Sequence, residues 1–134
     1  VLYVRCIGDF RMTNFTLFRL NSEPIAIVTE NSAFRLSVDG KELGIAAEAF
    51  FATHPDLTRI VVDSRSSRYE LSDLAEGLSI VAPYLRRLGL EKFIVVGSDE
   101  MKQAGSSALA SDLFGHLPAQ FFFDFDEALA EARS

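Results

Sequence analysis

Between Arg59 and Gly97 the chain reads as strand, helix and strand, and this unit limits what the whole can become. RIVVD at Arg59 to Asp63 and KFIVVG at Lys92 to Gly97 are short β-branched and aromatic runs bounded by polar residues or glycine, the pattern of strands buried on both faces. Between them Leu71, Leu74, Leu78, Val81, Leu85 and Leu88 recur at offsets of three and four, which predicts an amphipathic helix from about Glu70 to Leu88. Parallel neighbours need a crossover of this length, so the simplest reading is a βαβ unit. Two starts are open for the helix. Ser67 with Glu70 makes a capping box, and Ser72 followed by Asp73 and Glu76 makes a later start with acids in the first turn. Pro83 removes a backbone donor and predicts a kink or a break, and Gly89 ends the helix. In the two strands and in the last one, Ile60, Val62, Phe93, Val95 and Phe122 are expected to be deeply buried.

Upstream, from Val1 to about Asp39, the pattern is β-like. LYVRCIG, FTLFRL, PIAIVTE and AFRLSV are separated by turn signals at Asp9 to Asn14, Asn21 to Pro24 and Asn31-Ser32, which predicts an antiparallel meander of four strands. Asn31-Ser32 reads as a tight hairpin turn and Asp39-Gly40 as the end of the fourth strand. In the second run apolar residues fall on both faces, so both faces are expected to be covered. After Gly40 the period changes, and Leu43, Ala46, Ala47, Phe50 and Phe51 mark the buried side of a helix that His54-Pro55 terminates. His54 reads as a helix-end residue rather than a metal ligand, with no second ligand at suitable spacing.

Downstream of Gly97, Ser98 with Asp99 and Glu100 opens a helix to about Phe114, whose Gly/Ala/Ser-rich surface from Gln103 to Ser111 suits close packing on a sheet or another chain. AQFFFDF is read as the last strand, with Phe121, Phe123 and Phe125 on one face, and Asp124 with Glu127 caps a short terminal helix. The fold class is therefore α/β: a single domain over 1–134, with a mixed sheet formed by an N-terminal antiparallel meander and then alternating helices and strands.

Composition narrows function more by exclusion than by indication. A hydrophobic share of 49% suits a packed core, and no run reaches the roughly 20 apolar residues of a membrane span. No signal peptide or lipid-anchor pattern is read in a chain that begins at Val1. The lone Cys6 favours a reducing, cytoplasmic setting and reads as inert core. Thirteen Lys and Arg against nineteen Asp and Glu give a net charge of −6, which disfavours nucleic acid. No cofactor motif, metal set or catalytic constellation is read, so no enzyme activity is expected.

The order of elements, with IVVDSRSS before the central helix, LRRLGLEKFIVVGSDE after it and FFFDFDEALAEAR at the end, resembles the SpoIIAA-like, or STAS, superfamily from about Phe15 onward. It is nearer the stand-alone bacterial members, some grouped with lipid-transfer-like domains, than the anti-sigma-factor antagonists. Those antagonists carry Asp-Ser-Ser-Gly at the helix start, where a serine is phosphorylated. Here Ser72 falls nearest that position, with Asp73 and Leu74 in place of the second serine and the glycine, and the motif is absent.

The resemblance implies a non-enzymatic interaction or regulatory module with a protein partner. The surplus of apolar residues and the Gly/Ala/Ser-rich surface from Gln103 to Ser111 predict self-association as a two-fold dimer. The candidate binding residues follow the carboxyl end of a central strand, where α/β folds collect ligands: Asp63, Ser64, Arg65, Ser66, Ser67, Arg68 and Ser72. Asp63 either faces a ligand crevice or caps the following turn. Ser67 and Ser72 read as helix caps before phosphosites. The alternative function is a small-molecule or lipid-binding domain with an apolar pocket between the meander and the helices, for which twelve phenylalanines are the sequence hint.

Overall fold

The computed structural model describes residues 10–11, 14–99, 101, 103 and 119–134. In chain order these form β1 (Phe10–Arg11), β2 (Phe15–Arg19), β3 (Ile25–Glu30), α1 (Leu36–Thr53), β4 (Arg59–Asp63), α2 (Leu71–Arg87), β5 (Lys92–Val96), β6 (Gln120–Phe122) and α3 (Phe125–Arg133). The strands lie side by side in sequence order in one sheet. β1, β2 and β3 pair antiparallel, and β3, β4, β5 and β6 pair parallel, which is the mixed α/β arrangement expected.

Alternation along the strands divides the sheet into two buried faces. Phe15 and Leu17, Ala26 and Val28, Ile60 and Val62, and Phe93 and Val95 pack on one face beneath α1 and α2. Phe18, Ile25, Ile27, Val61, Ile94 and Val96 pack on the other against Phe125, Ala128, Leu129 and Ala132 of α3. Burial on both faces explains why the central strands read as unbroken apolar runs. Phe122 differs from its expected deep burial. It is half-buried, because β6 pairs with β5 alone among the described strands.

The meander is shorter than expected. Val1 to Gly8, including Cys6, lies outside the described residues, and part of the expected Asp9 to Asn14 turn is itself strand, β1. The Asn21 to Pro24 turn is present, with Asn21 at φ 50° and the Glu23 N–H donating to Leu20 O. The AFRLSV run is not a strand. Leu36 begins α1, so Asp39-Gly40 sits inside a helix and Asn31-Ser32 connects β3 to that helix instead of turning a hairpin. The buried series Leu36, Gly40, Leu43, Ala47, Phe50 already has helical spacing from its first member.

Tertiary contacts decide the helical outcome of that run. Asp73, in the first turn of α2, accepts from the Leu36 N–H at 3.1 Å and from the Ser37 hydroxyl. Asp39 accepts from the Arg35 N–H at 2.9 Å and is held in turn by Asn14 Nδ2. Donors at the start of α1 are thus satisfied by two carboxylates from four and thirty-seven residues away, which also suit the positive end of the helix dipole.

α1 and α2 approach closely at two glycines. A Cβ on Gly44 would lie 2.4 Å from Tyr84 Cγ, and one on Gly77 would lie 2.4 Å from Leu36 Cγ and 2.6 Å from its carbonyl carbon. α2 continues through Pro83 to Arg87 without a break. Leu74, Leu78, Val81, Ala82 and Leu85, on both sides of the proline, stay buried against the sheet and α1, which offsets the lost backbone bond. Gly89 follows at φ +65°, the left-handed conformation that ends a helix.

At the far end of the sheet Arg59 donates to the Ala132 and Ser134 carbonyls, and Lys92 to the Glu131 carbonyl and carboxylate. Cations from β4 and β5 therefore close the carboxyl end of α3, whose start is capped by Asp124, accepting from Asp126 N–H. Phe123 and Phe125 do not extend β6: Phe123 is exposed and Phe125 opens α3. His54 ends α1 as expected, its ring nitrogen 3.0 Å from Phe50 O. Of the helix expected after Ser98, Asp99, Met101 and Gln103 are helical. Glu100 and the remainder to Phe114, with most of the Gln103–Ser111 surface, lie outside the described residues, as does His116.

Candidate functional site

β3, β4 and β5 all end at one edge of the sheet, and the loops to α1 and α2 leave from it. Parallel strands deliver side chains there on alternating faces, so each position after a strand is assigned to a face by parity. In β3 the series Ala26, Val28, Glu30 carries a carboxyl onto the α1/α2 face as its last member. In β4 the series Ile60, Val62 continues to Ser64 on the same face, and Asp63 turns toward α3.

Glu30 is fully buried. Its Oε1 accepts from the Ser67 hydroxyl at 2.7 Å and from the Tyr69 hydroxyl at 2.6 Å, and the Ser64 hydroxyl also bonds to the carboxyl. Among the described residues no Lys or Arg contributes to its environment. Burial is the main cause that raises the Glu30 carboxyl, outweighing the three hydroxyls that favour its ionised form, and with a small further rise from the neighbouring Asp63 charge the net value is about 7. Tyr69 is held well above its ordinary value, first by burial and then by the Glu30 charge beside it, so it stays an O–H donor at neutral pH.

This polar cluster is one end of a cavity of about 70 Å³ between the sheet and the α1/α2 pair. Glu30, Ser64 and Tyr69 line that end, and the other described lining residues are apolar, with Val28, Ile60, Val62 and Val95 from the sheet and Leu74 and Leu78 from α2. A protonatable group at the end of an otherwise hydrocarbon space can orient a polar atom of a small molecule and exchange a proton near neutrality.

The expected binding loop is divided between the two faces. Ser64 and Ser67 join Glu30. Asp63 and Arg65 form their own pair on the other side: Asp63 accepts from the Arg65 N–H at 3.2 Å and from Arg65 Nε and Nη2 at 2.8 Å each, and the guanidinium lies 5.2 Å from the Phe125 ring centre. Asp63 therefore holds the following turn, the second of its two open readings. Ser66, Arg68 and Ser72 are exposed and outside the cluster.

Neither serine caps α2. The N-cap is Glu70, which makes no side-chain cap bond, Ser67 is engaged by Glu30, and Ser72 lies one residue inside the helix. A cap would accept from the free N–H groups at the helix start, whereas the Ser67 hydroxyl is turned to donate to the Glu30 carboxyl.

Glu30 and Tyr69 were not among the residues the sequence singled out. The signal for Glu30 is the parity of IAIVTE, which sets a carboxylate in register with Ala26 and Val28. Tyr69 carries no comparable signal. Among the described residues no group of three or more His, Cys, Asp or Glu is placed to hold a metal, and no helix is long and apolar enough to cross a membrane. No protein-family model, curated protein or solved structure matches this chain.

Proposed function

We propose that this protein binds a small, largely apolar molecule between its sheet and the α1/α2 pair, with the ligand's polar end at Glu30. The observation that carries this reading is the cavity itself, whose described lining residues are apolar except where Glu30, Ser64 and Tyr69 meet. A cavity-free core would exclude water as well and pack more densely, so a space with one buried carboxyl at its end suits occupancy by a guest. Native mass spectrometry of protein purified under mild conditions tests for a retained small molecule. A thermal-shift series of short-chain amines, alcohols and acids tests for reversible binding, since a ligand at a hundred times its Kd stabilises by about 2.7 kcal/mol. Ala47→Leu, which places bulk into the cavity wall, should abolish the shift. Absence of both a retained mass and any shift refutes the reading.

A second reading is a STAS-like interaction or regulatory module, bacterial as the resemblance implies and cytoplasmic as the lone Cys6 favours. Ser66, Arg68 and Ser72 favour it, because they are exposed together around the start of α2, beside the same sheet edge. Added phosphate there would find Arg68 nearby in sequence and a helix N-terminus that tolerates negative charge. Partner capture compared among wild type, Ser72→Asp and Arg65→Glu/Arg68→Glu tests it, and equal capture by all three removes this surface. Self-association as a homodimer is tested by sedimentation, where a single monomeric species at tens of micromolar counts against it.

A further inference from the structure

The wall of the cavity determines the size of a guest, and the polar end formed by Glu30, Ser64 and Tyr69 determines the guest's chemistry. Apolar cavities of about 150 Å³ take benzene, so about 70 Å³ corresponds to a short aliphatic chain of roughly three to five heavy atoms. At the polar end the carboxyl of Glu30 faces hydroxyl donors from Ser64, Ser67 and Tyr69. Hydroxyls share a negative charge but do not neutralise it. Of the cations near these residues in sequence, Arg35 and Arg68 are exposed, and Arg65 is bound to Asp63 on the other face of the sheet. Asp39 and Asp73 are occupied at the start of α1 by Asn14, Arg35, Leu36 and Ser37. Among the described residues, the ionisable groups acting on Glu30 are an anion, Asp63, and a neutral phenol, Tyr69.

Resting on the reading of this cavity as a ligand site, we propose that its guest is a small aliphatic amine, bound as the ammonium with its N–H groups on the Glu30 carboxylate and its chain against Val28, Val62, Leu74 and Leu78. The three candidate head groups differ in what they do to Glu30. A carboxylate would add a second negative charge beside Glu30 and Asp63. An alcohol would add one hydrogen bond and leave the charge uncompensated. An ammonium pairs the charge, and buried charges are retained where they are paired and hydrogen-bonded.

Pairing also fixes the proton count. Where Glu30 is protonated, binding the ammonium ionises it and releases one proton to solvent. Where Glu30 is already ionised, binding releases none.

The test is an NMR titration of the wild type and of Glu30→Gln with butylamine, butan-1-ol and butyrate. With Glu30 titrating at about 7, the affinity of wild type for butylamine should be about tenfold tighter at about pH 8 than at about pH 6, and that for butan-1-ol should not rise over this range. Glu30→Gln should weaken butylamine by about tenfold or more and leave butan-1-ol within about threefold. Calorimetry of wild type with butylamine at about pH 6 in two buffers of different ionisation enthalpy should show the released proton, and this arm needs no variant. Equal affinity for amine and alcohol, an amine affinity that does not change with pH, or equal weakening of both in Glu30→Gln overturns the assignment while leaving an apolar-ligand site standing. Binding by none of the three probes overturns the ligand site and this assignment together.

Discussion

Glu30→Gln removes one ionisation from the core and keeps the shape of the side chain and an oxygen to accept from Ser67 and Tyr69. Burial lifts the Glu30 carboxyl from an ordinary value of 4.5 to about 7. Between these values the folded protein holds a proton that the unfolded chain has released, so the folded state binds more protons and its stability falls as pH rises. The contribution of the neutral acid is complete below about 4.5, declines as pH approaches 7 and is gone above it. At about 1.4 kcal/mol for each unit of difference, the whole effect is about 3 kcal/mol, a large part of a typical total of about 5 to 15. Urea unfolding of wild type and Glu30→Gln at matched pH isolates this group. Glu23 and Glu131, held below their ordinary values chiefly by hydrogen bonds from Arg133 and Lys92, titrate equally in both proteins and cancel. The variant should be close to wild type at about pH 5 and more stable by about 3 kcal/mol at about pH 8. A difference constant within about 0.5 kcal/mol across that range would refute the reasoning, because it would mean that Glu30 ionises as easily folded as unfolded.

Gly77→Ala should lower stability by about 1 to 3 kcal/mol, because the added methyl meets Leu36 side chain and backbone. Gly40→Ala, whose nearest neighbour would be 3.6 Å away, should be neutral or gain up to about 1 kcal/mol from helix propensity, and thermal melts of the pair separate the two cases. Asp73→Ala removes the acceptor for Leu36 N–H and Ser37 and should cost about 0.5 to 2 kcal/mol, whereas Ser72→Ala, exposed in the same turn, should change urea stability by less than about 0.5. Ser67→Ala should move the Glu30 titration further upward, read by carbon-13 NMR of the carboxyl, since it removes a donor that favours the ionised form. Val62→Asp should leave no cooperative melt, because an unpaired carboxylate among Val28, Val95 and Leu78 costs several kcal/mol.

The βαβ unit, its boundaries at Arg59, Asp63, Lys92 and Gly89, and the two-faced burial of the strands were legible in the residues alone. They depend on intervals of two, three and four positions, and such intervals are a property of the chain before it folds. The run Phe34 to Val38 shows where that stops. Phe34, Leu36 and Val38 alternate as a strand would, yet Leu36 also begins a helical series, and the choice falls to Asp73, thirty-seven residues beyond Leu36, which accepts its N–H. Val38 is consequently exposed on α1. Pro83 makes the same point in reverse: its local preference to interrupt the helix yields to burial on either side.

The candidate site divides along the same line. Alternation could place Glu30 on the core face, and position after a central strand could mark Ser64 and Ser67 as residues at a ligand-collecting edge. That Ser67 serves Glu30 rather than the helix start, that Tyr69 closes the cluster, and that Asp63 and Arg65 turn to the opposite face depend on the pairing of β3 with β4. This pairing sets Thr29 beside Asp63, and so Glu30 beside Ser64, across a separation of more than thirty residues. Local spacing holds no information about which distant strand becomes the neighbour, and that neighbour determines whether a buried carboxyl meets a cation, a hydroxyl or a cavity.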